Sequence, residues 1–349
     1  MERSRLTGPR IVCVGCNLES EIALAGLIER GAHVAAVVTR PAGDPGAVCD
    51  YADLHDVCRA ANIPTIETTD INSTATLAAL HAVSPDYIYT LGWSQLFRGT
   101  LLAIPQRYVV GSHPSALPFG RGRAPVPWTI LQDLRRSAVT LFRMEPDADA
   151  GKILVQQWFD VPPDAYAGEV YQLVAGALRD AYCSLYEAHR TGRELAEIAQ
   201  SPAGATHRAK RTPADGHIDF RRPAAEIARL VRAVAQPYPG AYTYYGTGPA
   251  VERVVIWRAT LDDVPNHVGA PGQILVRSDD RLLVQAGDRP LWCWDFSIGG
   301  QPAATAEFRV GCKFGLAVED ELVRLRRELY QLQATLERLG LRDRVKEVA

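Results

Sequence analysis

The residues best suited to chemistry lie in two stretches, Gly111-Ser-His-Pro-Ser-Ala-Leu-Pro-Phe-Gly-Arg-Gly-Arg-Ala-Pro-Val-Pro-Trp128 and Val139-Thr-Leu-Phe-Arg-Met-Glu-Pro-Asp-Ala-Asp-Ala-Gly151. His113 follows an apolar run and opens a loop rich in Pro and Gly, where backbone and side chains approach a ligand closely. Imidazole takes up and gives back a proton near neutral pH, and a nearby carboxylate orients the ring and favours its charged form. The acidic loop Asp147-Ala-Asp149 follows another apolar run, Ala138 to Arg143. Two neighbouring strand ends would then present His113 and a carboxylate to each other as an acid/base pair. Spacing alone leaves open the plainer reading, a structural histidine.

The elements that must position them alternate. Ile11 to Gly15, His33 to Thr39, Pro64 to Thr68, Asp86 to Thr90 and Tyr108 to Ser112 read as strands. Glu19 to Arg30, Leu54 to Ala61, Thr74 to Val83 and Gln95 to Ala103 read as helices. This pattern predicts an open, mostly parallel α/β sheet whose ligands gather at the carboxyl ends of the strands. The turn Val14-Gly-Cys-Asn17 lacks the glycine spacing of a dinucleotide fingerprint, so it is assigned to the substrate side.

At 349 residues the chain exceeds one domain of roughly 150. A turn-rich, positively charged stretch at 201–216 reads as a linker between a catalytic domain (1–200) and a smaller β-rich, barrel-like (OB-like) domain (217–312). In the latter, Pro223 to Ala235 is helical, and Ala241 to Tyr245, Val251 to Ala259, Gly272 to Val276, Arg281 to Ala286 and Leu291 to Phe296 are short strands. In the tail (313–349), Leu322, Leu325, Leu329, Leu332, Leu336 and Leu339 recur at steps of three and four. Such a stripe packs either on its own domain or on a second subunit, as a homodimer through residues 318–340.

Hydrophobic residues make up 47 % and charged residues 22 %, and 38 Lys and Arg against 40 Asp and Glu leave a formal charge of −2. That balance supplies no electrostatic term for nucleic acid. Seven scattered cysteines, an odd number, fit a reducing cytoplasm. Cys13 and Cys16 have CxxC spacing but sit in an apolar strand without a second pair, so no metal is expected. No run approaches the roughly 20 apolar residues of a membrane helix.

The sequence Gly111-Ser-His113-Pro-Ser115-Ala-Leu-Pro118, with Arg121-Gly122 and Asp149-Ala-Gly151, resembles the folate-dependent formyltransferases, whose signature is Asn-x-His-x-Ser-Leu-Leu-Pro, Arg-Gly and a later Asp-x-Gly. Lys210-Arg-Thr-Pro-Ala-Asp-Gly216 and Val231 to Tyr242 resemble the beginning of that family's carboxy-terminal domain, closest to the amino-sugar branch. The resemblance covers residues from about 10 to about 300 and implies N10-formyltetrahydrofolate as cosubstrate. It places His113, Asp149, Ser115 and Gly111 in the catalytic set, with proton transfer assigned to His113 and orientation of the ring to Asp149. It places the pterin against Gly92, Trp93, Ser94, Leu96 and Phe97 and the loop from Arg143 through Asp147 to Asp149. Asn17, Ser112, Arg121 and Arg123 fall on the substrate side, where the two arginines are candidates for a diphosphate. A nucleotide-linked amino sugar is the expected amine, with an amino-acid-like amine, a hydroxylamine or methionyl-tRNA as alternatives.

The sequence departs from the family where an oxyanion-stabilising Asn is usual, because that position is Gly111. The oxygen must then be met by protonated His113, a backbone N–H, a water, Ser112 or Ser115; otherwise the chain is a slow enzyme or a non-catalytic binding relative.

Overall fold

Short β-branched runs bounded by helices form strands that are buried on both faces. The computed structural model describes residues 8–46, 48, 50–246, 250–315 and 318–339. These form two compact units, one containing the residues up to Asp215 with Arg232–Pro239, the other Gly216–Val231 and the residues from Gly240 onward.

In the first unit the strands are β1 (Ile11–Gly15), β2 (Val34–Thr39), β3 (Thr65–Glu67), β4 (Tyr87–Gly92), β5 (Tyr108–His113), β6 (Arg121–Gly122), β7 (Arg136–Arg143), β8 (Ile153–Asp160) and β9 (His207–Arg208). The helices are α1 (Leu18–Glu29), α2 (His55–Ala60), α3 (Thr74–Val83), α4 (Gly99–Leu102), α5 (Pro125–Leu131) and α6 (Ala167–Thr191). The seven-stranded sheet runs β3-β2-β1-β4-β5-β7-β8. Its first five strands are parallel, and β7 and β8 are antiparallel additions. Strand order reverses between β1 and β4, where a crevice opens beyond the carboxyl ends of open α/β sheets. Asn17, Gly92 and His113 all stand at that edge. Beneath it Val12, Val14, Val38, Ile88 and Leu101 form a core in which each side chain contributes about 1.5–3 kcal/mol.

The expected helix from Gln95 to Ala103 shrinks to α4. Gln95 instead braces the loop: its Oε1 accepts from Ile71 N (2.9 Å) and Trp93 Nε1 (3.2 Å), and its Nε2 donates to Thr69 O (2.8 Å). Asn72 adds bonds to Arg98 N and Leu96 O. Tertiary hydrogen bonds thus replace the i to i−4 bonds of a helix start.

Behind the sheet His189 stacks on Tyr87 (3.9 Å between centroids), with Nδ1 2.7 Å from Tyr89 Oη and Nε2 2.9 Å from Tyr108 Oη. Burial, aided by Arg107, lowers its pKa to about 4. The unfolded chain binds this proton near pH 6.5 and the folded one only near 4, so stability falls as pH drops through that window. We expect a loss of about 2–3 kcal/mol between pH 7 and 4 from this group. Melting curves across that range check it, and His189→Gln should flatten the decline.

The second unit holds α7 (Ala224–Ala233) as far as Val231 and an antiparallel sheet of β10 (Ala241–Tyr245), β11 (Glu252–Thr260), β12 (Ile274–Arg277), β13 (Arg281–Gln285), β14 (Pro290–Ile298) and β15 (Gln301–Ala303). The order is β10-β11-β14-β13-β12, with β15 paired to β14. Phe220, Phe296, Phe308 and Phe314 pack as an aromatic cluster. The tail is helical over α8 (Val318–Arg338), and its leucines are not buried: Leu322, Leu325, Leu329 and Leu332 are 54, 48, 54 and 57 % exposed. The expected interface reached Gly340, which lies outside the described residues.

Candidate active site

His113 ends β5 and is 6 % exposed. Its Nε2 lies 2.8 Å from Gly120 O; a carbonyl only accepts, so Nε2 carries a proton and Nδ1 is the free nitrogen of the neutral ring. Nδ1 stands 3.9 Å from Asp149 Oδ1, and Asp149 Oδ2 accepts from Gly122 N at 3.0 Å. Burial lowers the pKa of His113; Asp149 and the Gly120 carbonyl oppose the shift, and Arg208 adds to it. The ring is thus neutral at pH 7, with its free Nδ1 turned toward a carboxylate.

The sequence placed these two groups on neighbouring strand ends. They meet differently: β7 is antiparallel to β5, with Arg143 opposite Val110, so its end lies partway back along β5. Asp149 reaches His113 because the β7–β8 loop folds back, with Asp149 itself at φ 56°. Gly151 permits this return, since a Cβ there would lie 1.7 Å from Arg143 O.

Gln200, which sequence reading overlooked, clamps this loop. Its Nε2 donates to Asp149 O (2.8 Å) and Gly151 O (2.7 Å), and its Oε1 accepts from Arg121 Nε (3.1 Å) and Nη2 (2.7 Å). Arg121, expected to face a substrate, is thereby engaged within the fold, while Arg123 remains exposed. Gln200→Ala should release both and lower turnover about tenfold, with a stability loss of about 1–2 kcal/mol, measured as kcat and melting temperature.

Arg208 was also missed. It is 7 % exposed, donates to Gln132 Oε1 (2.9 Å), lies over Phe119 (5.3 Å) and has its pKa lowered to about 10 by burial. Arg208 falls in the stretch read as a linker and Gln200 just before it; up to Asp215 this stretch belongs to the first unit, and His207 and Arg208 pair with Arg121 and Gly122. No local spacing signals either one.

The oxyanion question narrows. A Cβ at Gly111 would lie 2.7 Å from Phe142 Cζ and 2.9 Å from Met144 Cγ, so the usual amide position is filled with apolar atoms. Ser112 Oγ donates to Thr90 O (2.8 Å), and Ser115 Oγ to Phe119 O (2.9 Å) and Gly120 O (3.2 Å). Both hydroxyl protons are spent inside the fold. Asn17 caps α1, its Oδ1 accepting from Ser20 N (3.3 Å) and its Nδ2 donating to Glu19 Oε1 (3.3 Å).

Of the expected folate-side residues, Phe97 is a core residue, 6 % exposed, and Trp93 packs beside the same core. Gly92 closes β4 against Asn17, while Ser94, Leu96 and Asp147 are exposed. A cavity of about 500 Å³ lies against the other loop, lined by Leu102, Ala103, Arg143, Met144, Pro146 and Lys152. A second, of about 760 Å³, opens near the β1 end among Glu21, Asp50, Tyr51, Asp53, Tyr171 and Gln236; among the described residues no lysine or arginine lines it. Burial and neighbouring Asp50 raise Glu19 to about 8, and burial raises Asp50, whose carboxylate accepts from Tyr171. Among the described residues no group of three His, Cys, Asp or Glu is placed to hold a metal, and no helix is long and apolar enough to cross a membrane.

A strand-end histidine and loop carboxylate on an open α/β sheet, in a chain that also carries an antiparallel β domain, define an α/β scaffold with an imidazole–carboxylate pair at its carboxyl edge. Residues 11–185 match the formyl transferase family profile and 210–311 that of its C-terminal domain, and the chain belongs to this family. Solved structures of similar fold include HypX from Aquifex aeolicus in complex with tetrahydrofolic acid (18 % identity, 86 % of this chain and 46 % of that one, TM-score 0.59). Another is an N-formyltransferase from Helicobacter canadensis in complex with folinic acid and dTDP-3-aminofucose (15 %, 82 % and 99 %, 0.61). A third is methionyl-tRNA formyltransferase from Clostridium thermocellum (18 %, 73 % and 93 %, 0.53). The chain spans about half the length of the HypX chains it matches.

Proposed function

We propose that the protein is an N-formyltransferase that moves a formyl group from N10-formyltetrahydrofolate to the amine of a small molecule. The pairing of buried, neutral His113 with Asp149 carries this reading. The cavity beside Arg143 and Met144 supports a folate site: Met144 and Leu102 offer apolar cover, while Arg143 and Lys152, both within ion-pair reach of Glu197, and Glu145 set the charge of its wall. The cosubstrate supplies an activated formyl carbon. His113 Nδ1 takes the proton that the amine nitrogen loses as its bond to that carbon forms, and returns it to the departing folate nitrogen. Asp149 holds the imidazolium between these events, and Gly120 O fixes the ring's tautomer. With positions 111, 112 and 115 unable to donate, charge on the formyl oxygen falls to a backbone N–H, a water or the imidazolium. This favours a slower enzyme, since one such donor is worth roughly 10²–10³ in rate elsewhere.

A nucleotide-linked amino sugar is the first substrate class, supported by the similarity to sugar N-formyltransferases and by the exposed Arg123. The acidic cavity at the β1 end favours a second: an amine whose remainder is cationic. The ends of β1 and β5 are two strand spacings apart, about 10 Å, a separation that a small molecule can bridge. A diphosphate is repelled by Glu21, Asp50 and Asp53, whereas a cation relieves the buried carboxylates.

The test follows tetrahydrofolate release with a panel of 3- and 4-amino nucleotide sugars, di- and polyamines, amino acids, hydroxylamines and charged initiator tRNA. Turnover that depends on one amine class identifies the substrate. Absence of both turnover and folate binding overturns the enzyme reading and leaves a non-catalytic relative.

A further inference from the structure

Val318, Leu322, Leu325, Leu329 and Leu332 of α8, with Leu339 just beyond its end, lie along one stripe at exposures between 48 and 63 %. The steps of four and three, repeated over three heptads, keep this stripe straight only when two helices wind around each other. Glu321 and Glu328, each preceding a leucine at the first core position, flank one side of it. Arg326 and Gln333, each following a leucine at the second core position, flank the other. Arg324 on the outer face ion-pairs with both Glu321 and Glu328 and holds them along their flank.

We propose that α8 pairs with α8 of a second copy of this chain as a parallel, in-register, two-stranded coiled coil. In that arrangement a residue before the first core position of one helix faces the residue five places later on the other. Glu321 then meets Arg326 of the second copy, and Glu328 meets its Gln333. An antiparallel pair would instead set the glutamate flank of one helix against the same flank of the other, where like charges repel. The inference is independent of the formyl-transfer reading.

Light scattering on the full chain should give the mass of two chains. Leu325→Asp with Leu332→Asp should weaken association more than about a hundredfold. Because both leucines are exposed in the single chain, its circular dichroism should be unchanged. Arg326→Glu should weaken the dimer about three- to tenfold, and adding Glu321→Arg should restore it. In a Cys312→Ser background, Leu325→Cys should cross-link to itself on oxidation, which parallel in-register helices allow and antiparallel ones do not. A monomer at about 100 μM, a mass of three or four chains, failure of the charge swap to restore association, or no self-cross-link would each overturn the proposal.

Discussion

His113→Ala is expected to lower formyl transfer about 10³- to 10⁴-fold, the upper range for a positioned general base, while folate binding persists. The two effects separate because the ring contacts Gly120 and Asp149, not the cavity beside Arg143. Asp149→Asn tests the partner. An asparagine keeps an oxygen for Gly122 N but removes the charge that stabilises imidazolium, so turnover should fall about 10²-fold or more at pH 7. The pH profile carries the same logic with a definite sign. Burial lowers the pKa of His113, so the rate should rise through an apparent pKa below the ordinary 6.5 and stay level above it. Loss of Asp149 removes an influence that raises this pKa, moving the acid limb further down. Wild-type turnover in His113→Ala would show that the proton goes elsewhere.

Gly111→Asn, the change that restores the family's usual residue, should be destabilising rather than activating. The obstacle is the cross-strand neighbour: Gly111 faces Phe142 in the β5–β7 register, and a Cβ would press on Phe142 Cζ and Met144 Cγ. Phe142 is 3 % exposed and packs with Leu117 and Ile153, so it has little room to yield. Overpacking costs about 1–3 kcal/mol, and an amide without partners in an apolar niche adds about 1–3 more. A lowered melting temperature with turnover no higher than wild type is the expected result. Phe142→Ala alone should cost about 3–5 kcal/mol, and the double variant less than the sum by at least about 1 kcal/mol, because each change relieves the other. The double variant should also turn over faster than Phe142→Ala, since the amide then has space beside the formyl oxygen. Additive stabilities would show that Phe142 is not what excludes a side chain at position 111.

This pair of residues marks where linear reading stops. Gly111 is visible as a departure from a motif, but its consequence depends on Phe142, thirty-one residues later, and on the register that sets them opposite each other. The serines behave alike: Ser112 and Ser115 are plausible donors by position, yet nearby carbonyls already hold their protons. Arg121 offers a forked cation to a phosphate until Gln200, seventy-nine residues away, accepts from it.

What the sequence determined by itself was whatever local period and backbone chemistry dictate. Alternating apolar runs and helical faces specified the mostly parallel sheet, His113 closing a strand at its carboxyl edge, and a tail helix with a three-four leucine stripe. Those signals repeat within a few residues and survive any tertiary arrangement. Tertiary structure alone decided which groups meet: the fold-back that carries Asp149 to His113, the Gln200 clamp, the burial of Arg208, the plug at Gly111 and the acidic cavity assembled from residues 21, 50–53, 171 and 236. The physical reason is that hydrogen-bond partners and desolvation are properties of the space around a group, and neighbours far apart in the chain supply that space.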